Sequence, residues 1–137
     1  MIAKSFVDTN VLVYSVDRGA GQKQAVARDL LDSIRSEGRL CLSTQILCEF
    51  VNVLLTKLKV SPSGAAHLLA SFKADAIVLV SPEIITEAIS LATIAKINFW
   101  DSMVIEAAAF AGVKTLYTED LNHGQIIRGV KVVNPFL

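Results

Sequence analysis

The sequence has no surplus of charge of either sign: 13 basic residues stand against 13 acidic ones, for a formal net charge of zero. That excludes a globally basic protein, so bulk charge gives nucleic-acid binding no support. Arg18, Lys23 and Arg28 concentrate early in the chain, and they read as one solvated helix face. Cysteine is also scarce. Cys41 and Cys48 show no Cys-x-x-Cys spacing and no clustered histidine, which argues against a zinc site or a disulfide and for buried thiols in a reducing cytoplasm. No uninterrupted apolar run approaches the roughly 20 residues that a membrane-crossing helix needs. No basic segment followed by a long apolar one marks a signal peptide, so the expected location is cytoplasmic, with no membrane partner. Repeats, low-complexity tracts and linkers are lacking as well. Residues 1–137 therefore read as a single domain, long enough to bury a real core.

What is present in quantity is apolar side chain. Hydrophobic residues make up 53% and charged ones only 19%, so part of that surface is expected to be hidden against a second copy or another partner. The order of elements follows from period and punctuation. Short strands read at 5–8, 40–42, 77–80, 114–118 and 131–133. Helical segments read at 11–16, 22–37, 44–59, 62–72 and 82–96, with a last one opening at 98–101 and ending at Gly112. In the second helix Val26, Leu30, Leu31 and Ile34 share a face. In the third the apolar set is Ile46, Leu47, Phe50, Val51, Leu54, Leu55 and Leu58. Ser61-Pro62 and Ser81-Pro82 are N-cap and first-turn proline pairs. Alternating strands and helices predict an α/β, three-layer fold, with a central parallel sheet of about five short strands and helices on both faces. Sites in such folds form beyond the carboxyl ends of the strands.

Asp8 is the most informative residue in this scheme. It closes the strand Phe6-Val7, and with Thr9 and Asn10 it interrupts an otherwise apolar stretch that resumes at Val11-Leu12-Val13-Tyr14. No Lys or Arg lies between Lys4 and Arg18 to pair with it locally. A buried, unpartnered carboxylate costs several kcal/mol, so it is normally paired, protonated or bound to a cation. Three further acids fall at comparable places. Glu49 lies in the helix after the second strand, on a face with apolar residues. Asp101 follows Phe99-Trp100 at a helix start, and Asp120 follows the strand end Leu116-Tyr117-Thr118. Each has an ordinary alternative, as an N-cap for Asp8 or Asp101 and as a turn residue for Asp120. Glu49 is the hardest to dismiss, because Glu is rarely buried without a reason. Glu119 competes with its neighbour Asp120 for the same place. Asp17, Asp29, Asp32, Glu37, Asp75, Glu83, Glu87 and Glu106 read as surface or capping charges.

Clustered carboxylates repel one another, and a hard divalent cation removes that penalty. Mg²⁺ takes oxygen ligands octahedrally and is usually held by one or two protein carboxylates, the others orienting its waters or holding a second ion. The chemistry such a site supports is attack of an activated water on a phosphodiester.

The same residues resemble the signature of the PIN-domain family. Phe6-Val7-Asp8-Thr9-Asn10-Val11-Leu12 resembles its opening strand with Asp-x-Asn. Glu49 within Thr44-Gln45-Ile46-Leu47-Cys48-Glu49-Phe50 resembles its second acid. Trp100-Asp101-Ser102 before an Ala-rich helix resembles the third, and Thr118-Glu119-Asp120 the Thr-x-Asp segment carrying the fourth. Val130-Lys131-Val132-Val133-Asn134-Pro135-Phe136 resembles the closing strand and tail. The compact length matches the VapC-like branch. The resemblance implies a Mg²⁺- or Mn²⁺-dependent endoribonuclease, the toxin half of a prokaryotic toxin–antitoxin pair, dimeric and silenced by a small antitoxin protein. It implies Asp8, Glu49, Asp101 and Asp120 as catalytic metal ligands, with Asp120 rather than Glu119 facing the metal and Asn10 and Thr118 hydrogen-bonding the acids. No histidine is needed, so His67 and His123 read as structural or surface residues. Trp100 reads as a core or dimer contact, with base stacking as the alternative.

Two other readings compete. A phosphotransferase with Asp8 as nucleophile would carry a second Asp two residues on, and position 10 is Asn. A PIN-like fold that keeps its acids but only grips RNA or a protein partner differs in turnover, which chelator-sensitive cleavage would reveal.

Overall fold

The structure is a computed structural model that describes residues 3–137. Six strands, β1 (Ser5–Val7), β2 (Leu40–Ser43), β3 (Ala76–Val78), β4 (Thr115–Tyr117), β5 (Ile126–Ile127) and β6 (Val130–Val133), form one sheet in the order β3-β2-β1-β4-β6-β5. All neighbouring pairs are parallel except β5–β6. Every residue of β1 and β2 is buried. A central strand hidden on both sides requires cover on both faces. That cover comes from α1 (Thr9–Val16), α2 (Gln22–Ser36), α3 (Thr44–Thr56), α4 (Pro62–Ala70), α5 (Pro82–Ala95) and α6 (Phe99–Phe110), with α1 packed on α2 and α3, and α5 on α6.

Helix starts follow the local chemistry read above. The Ser61 and Ser81 hydroxyls accept from Gly64 and Ile84 N–H groups, each ahead of a first-turn proline. Ser43 caps α3, accepting from Ile46 N–H, and Thr44 Oγ1 accepts from Val80 N–H at 3.1 Å. The two-residue strand β5 is a departure from the all-parallel expectation. It pairs antiparallel with β6 across Arg128-Gly129, whose φ angles of +53° and +75° are those of a tight two-residue hairpin turn.

The apolar stripes are shifted from the expected faces. Val26 is exposed and Ala27 takes its core position, while Ile46, Phe50 and Leu54 are buried but Leu55 is exposed. Cys41 is buried as expected, whereas Cys48 is exposed. Helix α6 is buried all round from Ser102 to Ala108, which overturns the surface reading of Glu106: it is 8% exposed and accepts from Arg128 Nε at 2.8 Å. Among the described residues no single helix is long and apolar enough to cross a membrane.

The sheet order positions the site. The chain runs outward through β1, β2 and β3, then returns to lay β4 on the other side of β1. The carboxyl ends of β1 and β4 therefore flank a topological switch point, where a crevice opens in a parallel sheet.

Candidate functional site

Asp8 leaves β1 at this crevice, and its N–H donates to the Tyr117 carbonyl of β4 at 3.0 Å. It is the N-cap of α1, its Oδ1 accepting from Thr9 N–H at 2.7 Å. The capping alternative therefore holds for this residue, which also lines the crevice. Asp101 lies in the first turn of α6, where Asn98 is the N-cap and Asp101 N–H donates to Asn98 Oδ1 at 2.8 Å. Asp120 follows β4. One carboxylate oxygen from each of Asp8, Asp101 and Asp120 lies within 4.8 Å of the others. Glu49 lines the same cleft, of about 440 Å³, but stands outside that three-acid cluster. Its Oε1 accepts from Thr9 Oγ1 at 2.9 Å.

Two neutral side chains fasten the cluster. The wholly buried Thr118 hydroxyl donates to Asp8 Oδ2 at 2.8 Å and accepts from Asp120 N–H at 3.1 Å. Asn10 Nδ2 donates to Thr118 Oγ1 at 3.2 Å and to Asp120 Oδ2 at 2.9 Å, leaving the buried Asn10 Oδ1 without a partner among the described residues. Asn98 Nδ2 holds Asp101 Oδ2 at 2.7 Å.

The electrostatics show strain of the expected sign. Burial, reinforced by the charges of Asp120 and Asp101, pushes the Asp8 carboxyl up to about 7, against the hydrogen bonds from Thr118 and Thr9 that favour its charged form. Asp101 is also raised, first by burial and then by Asp120, with Asn98 opposing and Glu49 adding a smaller push. Among the described residues no Lys, Arg or His forms an ion pair with Asp8, Asp101 or Asp120. The ligand atoms on offer are all oxygens, the set that suits hard divalent cations.

The pattern of the PIN domain matches residues 5–128. The chain belongs to the PIN domain family. Solved structures with the same fold include VapC20 of Mycobacterium tuberculosis, a sarcin–ricin loop cleaving toxin, at a TM-score of 0.70 and 16% identity over 85% of this chain and 92% of that one. A toxin–antitoxin complex from Klebsiella pneumoniae gives 0.71 and 18% identity over 96% and 98% of the two chains. The DNA-bound VapBC of Salmonella typhimurium gives 0.67 and 18% over 96% and 97%. No curated protein sequence matches significantly.

In this PIN domain Glu119, the neighbour that competes with Asp120, has partners of its own. Glu119 takes Lys23 Nζ at 2.8 Å on one oxygen and the Tyr14 hydroxyl on the other. Burial works against its charge, but these two donors prevail and its pKa is lowered. Lys23 also lies 4.9 Å from the Tyr14 ring centroid and 5.4 Å from that of Phe136. The expected solvated face of Arg18, Lys23 and Arg28 therefore loses Lys23 to this cluster, a contact 96 residues apart in sequence. His67 is exposed, and the exposed His123 accepts from Asn134 N–H at 3.0 Å, as a structural residue would. Trp100 is not in the core: it is 60% exposed and lines the acid cleft. Gln45, not singled out from sequence, lines the cleft too and donates from Nε2 to the Trp100 carbonyl at 3.0 Å.

Proposed function

We propose that this PIN domain is a divalent-cation-dependent endoribonuclease, the VapC-like toxin of a toxin–antitoxin pair acting in the cytoplasm. The observation that carries the reading is the convergence of Asp8, Asp101 and Asp120 within 4.8 Å at the switch point, with no cationic side chain pairing them among the described residues. Protein structures seldom hold such a cluster charged without a counter-ion. Asp8, Asp101 and Asp120 would hold Mg²⁺ or Mn²⁺, with Glu49 beside them in the same cleft. When bound, the cation supplies charge neutralisation at the scissile phosphate and a water activated for attack.

The chain's own groups then have distinct tasks. Thr118 and Asn10 fix the Asp8 and Asp120 oxygens by hydrogen bonds, the support that ligand carboxylates generally need. Asn98 does the same for Asp101. Thr9 engages only Oε1 of Glu49, which leaves Oε2 to orient a water or to accept its proton. Asp120, with Glu119 tied to Lys23 and Tyr14, is the acid of that segment free to act.

The partners follow from apolar surface. A groove of about 480 Å³ lined by Leu47, Cys48, Val51, Leu55 and Leu69 opens between α3 and α4, and Ile85 and Ile89 are exposed on α5. Patches of this kind mark protein contacts. They support a homodimer and contact with a small antitoxin; the similarly folded Klebsiella structure is a toxin–antitoxin complex.

The test is cleavage of RNA by purified protein. Mg²⁺ or Mn²⁺ is expected to be required, excess chelator to stop cleavage, and sequencing of RNA ends to show defined sites. Cleavage that persists in chelator, or no cleavage with either ion, overturns the reading. Light scattering that shows only monomer across micromolar concentrations removes the homodimer.

A further inference from the structure

Two aromatic side chains line the acid cleft, Tyr14 and Trp100, and they differ in what is left to offer. The Tyr14 ring meets the edge of Phe136 at 5.2 Å, has Lys23 at 4.9 Å from its centroid, and spends its hydroxyl on Glu119. Its faces and its polar end are engaged inside the fold. Trp100 stays 60% exposed, and its one aromatic neighbour is Phe99 at 5.5 Å in an edge contact. Its backbone, by contrast, is held firmly. It occupies the first turn of α6, capped by Asn98 and adjacent to Asp101, with its carbonyl bonded by Gln45.

We infer that Trp100 is a stacking platform for an unpaired RNA base next to the phosphate at the acid cluster. The inference rests on the ribonuclease reading of that cluster and deepens it. The charge of the cleft favours such a contact. Among the described residues its lining contains Asp8, Glu49, Asp101 and Asp120 against a single cation, Lys57. Apart from the cation these acids would hold at the scissile phosphate, the protein's own side chains bring little positive charge to neighbouring phosphates. Stacking on an aromatic face does not depend on that charge. It needs a base whose own face is open, which means single-stranded RNA, a loop or a bulge rather than a duplex. A rigid backbone under an open indole lowers the ordering cost of binding a base.

Trp100 is the only tryptophan in the sequence, so its emission reports on this position alone. The experiment titrates a short single-stranded RNA into the full-length protein, with Ca²⁺ in place of Mg²⁺ to slow cleavage, while labelled-RNA anisotropy follows binding. Emission is expected to be quenched in step with binding and to become protected from iodide. An abasic oligonucleotide of equal length is expected to quench far less. In Mg²⁺, Trp100→Leu is expected to raise KM for a single-stranded substrate on the order of tenfold with kcat little changed, and Trp100→Phe to recover most of that loss.

RNA that binds or is cut with emission unchanged overturns the Trp100 inference alone. So does equal quenching by the abasic chain, or a Trp100→Phe variant no better than Trp100→Leu. Emission that is iodide-protected in the free protein and changes with protein concentration places Trp100 in a subunit contact and overturns it too. Quenching by RNA that Mg²⁺ and Mn²⁺ never cut supports Trp100 and removes the nuclease. RNA that does not bind at all overturns both.

Discussion

Asp8 and Glu106 are the buried acids among the described residues, at 5% and 8% exposure, and the fold treats them in opposite ways. Glu106 is given a guanidinium: Arg128 Nε lies 2.8 Å away, and Arg128 Nη2 reaches Glu87 at 3.6 Å. That contact ties α6 to the β5–β6 hairpin, where Arg128 occupies the left-handed region at φ +53°. Asp8 is given only neutral donors and two more acids, and its carboxyl is pushed up to about 7. A buried charge with a cationic partner closes its electrostatics inside the fold. One surrounded by its own sign leaves them open to something from outside. Burial alone therefore does not separate the two acids; the sign of their neighbours does.

The sharpest way to break this comparison is to remove each acid and measure RNA cleavage. Asp8→Ala is expected to lower metal-dependent cleavage by more than about 100-fold, beyond what losing a supporting group costs a metal site, with circular dichroism unchanged. Glu106→Gln is expected to cleave within about threefold of wild type and to melt lower, because the neutral amide leaves the guanidinium without its charge partner. Equal losses of cleavage in the two variants would mean that both acids act through the fold, and the contrast would collapse.

The second test is smaller and uses pH. The folded-state pKa of Asp8 is about 7 against an ordinary value of 3.8. Between those values the folded protein holds a proton that the unfolded chain has released, so stability falls as pH rises through the window and levels off above it. In chelator, urea unfolding is expected to show wild type losing roughly 2–4 kcal/mol between about pH 4 and pH 7. Asp8→Asn cannot ionise and should lose most of that slope. A wild-type profile that is flat, or that rises over the window, would mean that the carboxyl is satisfied by Thr118 and Thr9 and carries no strain.

How much of this was legible beforehand divides along range in sequence. Local signals held: Ser61-Pro62 and Ser81-Pro82 open α4 and α5, and Gly112, at φ +72°, follows the end of α6. The positions of Asp8, Asp101 and Asp120 at strand ends and a helix start were enough to anticipate their meeting, because a parallel sheet gathers such places at one edge. Long-range partners were not visible. Nothing near Glu106 announces Arg128, and α6 is apolar on every face, so its pattern does not distinguish a buried glutamate from an exposed one. The partners that engage Glu119, Lys23 and Tyr14, lie 96 and 105 residues away in sequence. Strand β5 has two residues, too few for any period to register. The apolar set of α3 carries no mark that divides it, yet Ile46, Phe50 and Leu54 are buried while Leu47, Val51 and Leu55 border a surface groove; composition counts apolar residues without saying which face a partner covers.

The finest test asks whether Asp101 belongs with Asp8 or is an ordinary helix-start charge. Two effects oppose each other at that position. An acid in the first turn of α6 gains about 0.3–1 kcal/mol from the helix dipole. Against this stand its burial and its repulsion with Asp120, which raise its pKa. Two unit charges no more than 4.8 Å apart repel by roughly 3.5 kcal/mol or more at an effective dielectric of 20. Part of that is screened, because Asp101 is only half-buried. The repulsion is expected to prevail by about 1 kcal/mol, so in chelator near neutral pH Asp101→Asn should melt about 3 °C above wild type. The amide keeps an oxygen to accept from Asn98 Nδ2, so the hydrogen bond now at 2.7 Å need not be lost. Adding Mn²⁺ should then raise the melting temperature of wild type more than that of the variant, because only binding to the folded state stabilises it. A variant that melts lower in chelator and gains as much from Mn²⁺ as wild type would make Asp101 a helix-start charge, and the cluster would shrink to Asp8 and Asp120.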